Sequence, residues 1–92
     1  MRIDKFLKVS RIIKRRTVAN EACEGGRVSI DGKTAKPSSG VKAGSIISIR
    51  FGEHLGRYEV LEVRETATRD QASGMYRVLD EDASVLSARS EE

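Results

Sequence analysis

The 92-residue sequence predicts an α+β fold: two short N-terminal helices packed on a small, mainly antiparallel sheet, with a short C-terminal extension. Three observations predict it. Apolar residues fall at helical spacing twice within residues 3–24, and Gly25-Gly26 closes the second run. Alternating segments then follow, the first of them broken by an Asp31-Gly32 hairpin signal. Hydrophobic content is 38% and Trp is absent, so there is material for one small core and one domain.

Taken in order, Ile3, Phe6 and Leu7 share one side of a first helix, with Asp4 read as its N-cap. After Leu7 the apolar phase slips to Val9, Ile12 and Ile13, which places the end of that helix near Ser10 or Arg11 and a turn through Lys14-Arg15-Arg16. Thr17 is the expected cap of a second helix, Val18 to about Glu24, whose stripe is Val18, Ala19, Ala22 and Cys23. Arg27 to Ile30 alternates as a half-buried strand, and Lys33 to Ala35 is its return. Lys36 to Gly40 reads as loop, with Val41 tucked into the core. Ser45 to Phe51 reads as a strand with Ile47, Ile49 and Phe51 on one face.

Gly52 to Gly56 is the expected turn into a strand from Arg57 to Glu65, whose apolar phase changes after Val60; a bulge between Val60 and Leu61 explains that, and so does a strand with apolar neighbours on both faces. Thr68 to Gln71 matches a capping box, and Gly74 follows too soon for a long helix. Met75, Tyr76 and Leu79 suit one or two further apolar-faced turns, and the tail from about Asp82 is expected to fray. The expected division is a domain over 1–65, its core motif about 1–50, and an extension over 66–92 that is partly helical and then disordered.

Charge is unevenly distributed. Residues 1–50 carry +8 and residues 51–92 carry −5. Eight of the seventeen Lys and Arg fall at Arg2, Lys5, Lys8, Arg11, Lys14, Arg15, Arg16 and Arg27. Such clustering is the electrostatic footprint of a polyanion-binding face. Arg15-Arg16 immediately precedes a helix start, where free N–H groups and the positive dipole end suit a phosphate. Asp4 has a second reading, in which it orients Arg2 or Arg16 by ion pairing.

Other chemistries lack support. One Cys and one His supply neither a disulfide nor a zinc site. Cys23 reads as a buried small residue, and His54 as a turn residue without special role. Phosphate-binding loops and zinc-protease motifs are absent, so neither catalysis nor a cofactor is expected. No apolar run approaches the roughly 20 residues that span a bilayer. The N-terminus has no apolar secretory segment. A cytoplasmic monomer is expected.

Phe6, Phe51, Tyr58 and Tyr76 are the only aromatic residues, too few for base-stacking platforms. Contact through phosphates, sugars and shape therefore fits folded RNA. Helix-turn-helix binding to DNA is the rival, but the outer face of the second helix would present Glu21 and Glu24 to the groove. A protein-binding edge over Glu59 to Glu65 is a further alternative.

Arg2-Ile3-Asp4-Lys5-Phe6-Leu7, Arg16-Thr17-Val18-Ala19, Gly26 to Gly32 and Val41 to Ile47 together resemble the S-four RNA-binding domain, named after ribosomal small-subunit protein four. Gly44-Ser45 stands where many members have Gly-Asp. The resemblance implies the αL-type RNA-binding motif, with RNA on the helical face of a bent sheet. Lys8 to Thr17, Lys36 to Ser39, Arg50-Phe51-Gly52 and Ala72 to Tyr76 are similar to the short stand-alone bacterial members that stabilise P-site tRNA in ribosome quality control. That implies ribosomal RNA, tRNA and the large ribosomal subunit as partners, with a nascent-chain tailing factor nearby. A related heat-shock family sharing the Lys-Pro-Ser element is the second choice, and a fragment of an RNA-modifying enzyme the alternative from another class. The expected RNA contacts are Arg2, Lys5, Lys8, Lys14, Arg15 and Arg16, extended by Arg27, Lys33 and Lys36.

Overall fold

The computed structural model describes residues 1–81. Its order is α1 (Ile3–Val9), α2 (Arg16–Glu24), β1 (Val28–Ile30), β2 (Lys33–Thr34), β3 (Ile46–Phe51), β4 (His54–Val60), α3 (Arg69–Ser73) and β5 (Tyr76–Glu81). The five strands form one antiparallel sheet in the order β2-β1-β3-β4-β5.

α1 buries Ile3, Phe6 and Leu7 completely, as its spacing requires. The chain then doubles back through Arg11, whose φ of 64° is left-handed, and the Ile13 N–H donates to the Leu7 carbonyl at 3.1 Å. That reversal drives Ile12 and Ile13 into the same core. α2 buries Ala19, Ala22 and Cys23, and small side chains let it lie close to α1. It ends in a Schellman motif: the Gly26 N–H donates to the Cys23 carbonyl and the Arg27 N–H to the Ala22 carbonyl. Gly26 takes φ 74°, which glycine adopts without strain.

Asp31 and Gly32 form the tight β1–β2 turn, both at positive φ. Asp31 does more than turn the chain, since its carboxylate accepts from the Ile46 N–H at 2.9 Å and so fixes the start of β3. Val28, Ile47, Ile49, Phe51, Tyr58 and Val60 form the buried face of the sheet beneath the helices.

Several expectations are corrected. Asp4 is not the α1 cap: Arg2 holds that position, and Asp4 lies inside the first turn. The N–H groups of Ile3 and Asp4 donate instead to the Ser39 and Pro37 carbonyls, in a loop over thirty residues away. Thr17 is likewise inside α2, whose N-cap is Arg15. The β3–β4 turn spans only Gly52 and Glu53, because Phe51 already pairs with His54. Finally, β4 ends at Val60, and the change of apolar phase marks that end; the irregularity in pairing falls between Arg57 and Tyr58, against β5.

The capping box is present, with Thr68 and Gln71 exchanging hydrogen bonds around a five-residue α3. The element after α3 is a strand rather than further helical turns. β5 pairs along β4, buries Met75 just before it, and sets Tyr76 edge-on to Tyr58 with ring centroids 5.7 Å apart. The expected fraying from about Asp82 lies outside the described residues.

Candidate nucleic-acid interface

The basic face is organised by a carboxylate. Asp4 is 2% exposed. Arg2 donates to it through Nε to Oδ1 at 3.2 Å and Nη2 to Oδ2 at 3.1 Å, a bidentate pair. Arg16 donates through Nη2 to Oδ1 at 3.4 Å, and Asn20 through Nδ2 to Oδ2 at 3.5 Å. The Lys5 N–H adds a fourth donor, to Oδ1 at 2.8 Å. Burial alone raises the Asp4 carboxyl; the donors from Asn20, Arg16, Arg2 and Lys5 outweigh it and hold the group below its ordinary 3.8. Of its two readings, the structure therefore selects the ion-pairing one.

The arginines are held but not hidden. The Arg2 side chain is 51% exposed and that of Arg16 46%. One edge of each guanidinium faces Asp4, leaving other N–H groups for a ligand. Arg15 stands beside them, exposed, at the N-cap of the nine-residue α2. No side chain caps that helix start and no acidic residue lies in its first turn. Free N–H groups, the helix dipole and two arginines thus coincide, a combination suited to a phosphate oxygen.

The other expected contacts divide. Lys36 lines one shallow cleft with Arg2, Asn20 and Thr34, because the 36–41 loop straps the start of α1 through the Arg2–Gly40 bridge. Lys8 and Lys14 line a second cleft at the opposite end of α1. Lys5 is engaged: its ammonium pairs with Glu65, and that pairing lowers the Glu65 carboxyl. Arg27 and Lys33 are exposed but line neither cleft, Arg27 past the C-terminal end of α2 and Lys33 on the outer strand.

Two residues beside the basic face carry no sequence signal of it. Asn20 completes the Asp4 cluster, one helical turn beyond Arg16. Arg11, part of the basic run, lines the second cleft with Lys8 and Lys14. Arg69 arrives from α3 to line the cleft with Lys8 and Lys14, and nothing local to it signals that meeting.

The remaining groups do little chemistry. Cys23 is buried, and burial first, then Asp4 and Glu24, pushes its thiol up to about 11. Phe6, Phe51 and Tyr58 are buried and Tyr76 packs on Tyr58, so no aromatic stands on the basic face. Among the described residues, no group of three or more His, Cys, Asp or Glu is arranged for a metal ion, and no helix is long and apolar enough to cross a membrane.

Residues 1–47 match the model of the S4 domain. The RQC P-site tRNA stabilizing factor of Bacillus subtilis (strain 168) is 50% identical over 82 residues, covering 89% of this chain and 95% of that protein. Its counterpart from Streptococcus pneumoniae (strain ATCC BAA-255 / R6) is 47% identical over 81 residues, covering 88% and 92%. Among solved structures, trimeric Heat Shock Protein 15 of Vibrio cholerae superposes with a TM-score of 0.77 at 30% identity, covering 99% of this chain and 90% of that one.

Proposed function

The chain belongs to the S4-domain family and, within it, to the RQC P-site tRNA stabilizing factors, and on that premise we propose that it is a non-enzymatic RNA-binding factor of obstructed large ribosomal subunits. It contacts ribosomal RNA and steadies peptidyl-tRNA in the P site while a tailing factor adds alanine to the stalled nascent chain. It acts in the cytoplasm as a monomer. Residues 1–65 are its RNA-binding unit. Arg2, Lys8, Lys14, Arg15 and Arg16 are the principal contacts, with Lys5, Arg27, Lys33 and Lys36 at the margins.

One observation carries this reading. Asp4 fixes two half-exposed arginines beside the uncapped start of α2. A buried anion that orients cations without covering them prepares a surface for a second, external anion. With no aromatic on that face, the external anion is a sugar-phosphate backbone rather than a splayed base.

A salt series tests it. If about five phosphates are neutralised, log K for tRNA or purified large subunits falls with log salt at a slope of roughly −3.5 to −4.5. A flat response rejects the phosphate grip. In cells, the tagged chain should sediment with free large subunits, and its deletion should remove alanine tails.

A heat-shock-type recycling role is the second reading, favoured by the superposition on the Vibrio cholerae protein. Stranded peptidyl-tRNA accumulating on large subunits, with tails intact, would select it.

A further inference from the structure

Resting on the RNA-binding reading above, we infer that the C-terminal end of α1 and the start of α3 form a second phosphate-holding notch, through which the chain grips a separate stretch of RNA backbone. Lys8, Arg11 and Lys14 meet Arg69 around one cleft there. Lys8 lies four residues beyond Asp4, about 6 Å along the helix axis, so this notch is not the Asp4 cluster.

Charge placement supports it. The cleft holds four cations and one carboxylate, Glu65, which Lys5 already engages from outside the cleft. Among the described residues, none of the four cations donates to a carboxylate. Four like charges facing one carboxylate that is already paired repel one another, an arrangement that an external polyanion relieves.

The backbone gives an independent sign. Arg11 sits at φ 64°, where glycine is at ease and an L side chain is strained. Its N–H donates to the Lys8 carbonyl at 3.1 Å, so the turn itself needs only the backbone. An arginine standing where glycine would turn the chain more easily points to a use for its side chain. The ligand class follows from the donors: guanidinium and ammonium groups with no aromatic partner suit phosphate oxygens.

The experiment uses the full chain, with tRNA and purified large ribosomal subunits as probes, between about 50 and 200 mM salt. Arg69→Gln should flatten the salt slope by roughly 0.7–0.9, so the affinity lost across that range shrinks about threefold. Arg69→Lys should retain the slope. Arg11→Gly should bind more weakly yet melt no lower than the parent, because relief of backbone strain offsets the extra freedom of glycine in the unfolded chain; a structural role would lower both. If Arg69→Gln and Arg11→Gly keep the parental slope while Arg15→Gln flattens it, the notch is refuted and the RNA-binding reading stands. If Arg15→Gln is also silent, that reading fails with it.

Discussion

Asp4 and Glu59 both hold an arginine, in opposite surroundings. Asp4 is 2% exposed and gathers Arg2, Arg16 and Asn20 from two helices. Glu59 lies on the outer part of the sheet, 26% exposed, and meets a single Arg77 that is 64% exposed at 2.5 Å. Neighbouring pairs repeat the second pattern: Glu62 meets Arg64, and Glu65 meets Lys5. In the helical pair one acid serves several bases and leaves a cationic surplus. Away from Asp4 each of these acids meets a single base. The same functional groups therefore build a cationic surface in one region and a solvated surface of single ion pairs in the other.

The largest expected effect breaks the first region. Arg15→Glu with Arg16→Glu removes two cations at the start of α2 and opposes the helix dipole. Taking each charged contact as about 1.5–3 kcal/mol, affinity for tRNA or large subunits should fall at least about 100-fold, measured by filter binding at fixed salt. Arg16 is not an innocent position, because it donates to Asp4. The double variant should therefore also melt lower than Arg15→Glu alone. Reversing Glu59 and Arg77 together should leave binding within about twofold, since exposed pairs contribute little.

The next effect tests whether Asp4 is structural. Asp4→Asn keeps the shape but removes the charge that four donors address. A loss of about 2 kcal/mol is expected in urea unfolding. Acid titration sharpens the point. A carboxyl held below its ordinary 3.8 in the folded chain stabilises fully above that value, and the contribution is lost as pH falls through the lower folded value. The parent should thus lose stability below about pH 4 more steeply than Asp4→Asn. Glu65 shifts in the same direction, but it is exposed and salt should screen its share.

This contrast also explains which features were legible in the sequence. The Gly25-Gly26 stop, the Asp31-Gly32 turn, the buried face of β3 and the Thr68 capping box are local, and neighbouring residues carry the whole signal. The basic cluster was visible for the same reason. The α1 cap was not, because Pro37 and Ser39 supply it from across the fold. Asn20 and Arg69 enter the two basic sites only through packing. β5 escaped notice because, as an edge strand, it leaves Val78 and Leu79 exposed and shows no alternation.

The smallest effect is the most discriminating measurement of the comparison. A double-mutant cycle on Glu59 and Arg77, each changed to Ala, should return a coupling near 0.5 kcal/mol or less, because water screens the pair and both side chains lose freedom in forming it. Raising salt to about 1 M shortens the screening length to roughly 3 Å and should abolish that coupling. The same cycle on Asp4 and Arg16 should return about 1–2 kcal/mol and keep most of it in salt, since the carboxylate is buried and its other donors stay in place. Equal couplings for the two pairs would mean that burial of Asp4 does not set its strength. The cationic surplus at α2 would then be no better ordered than the sheet edge, and its arginines would have to find their geometry only on meeting RNA.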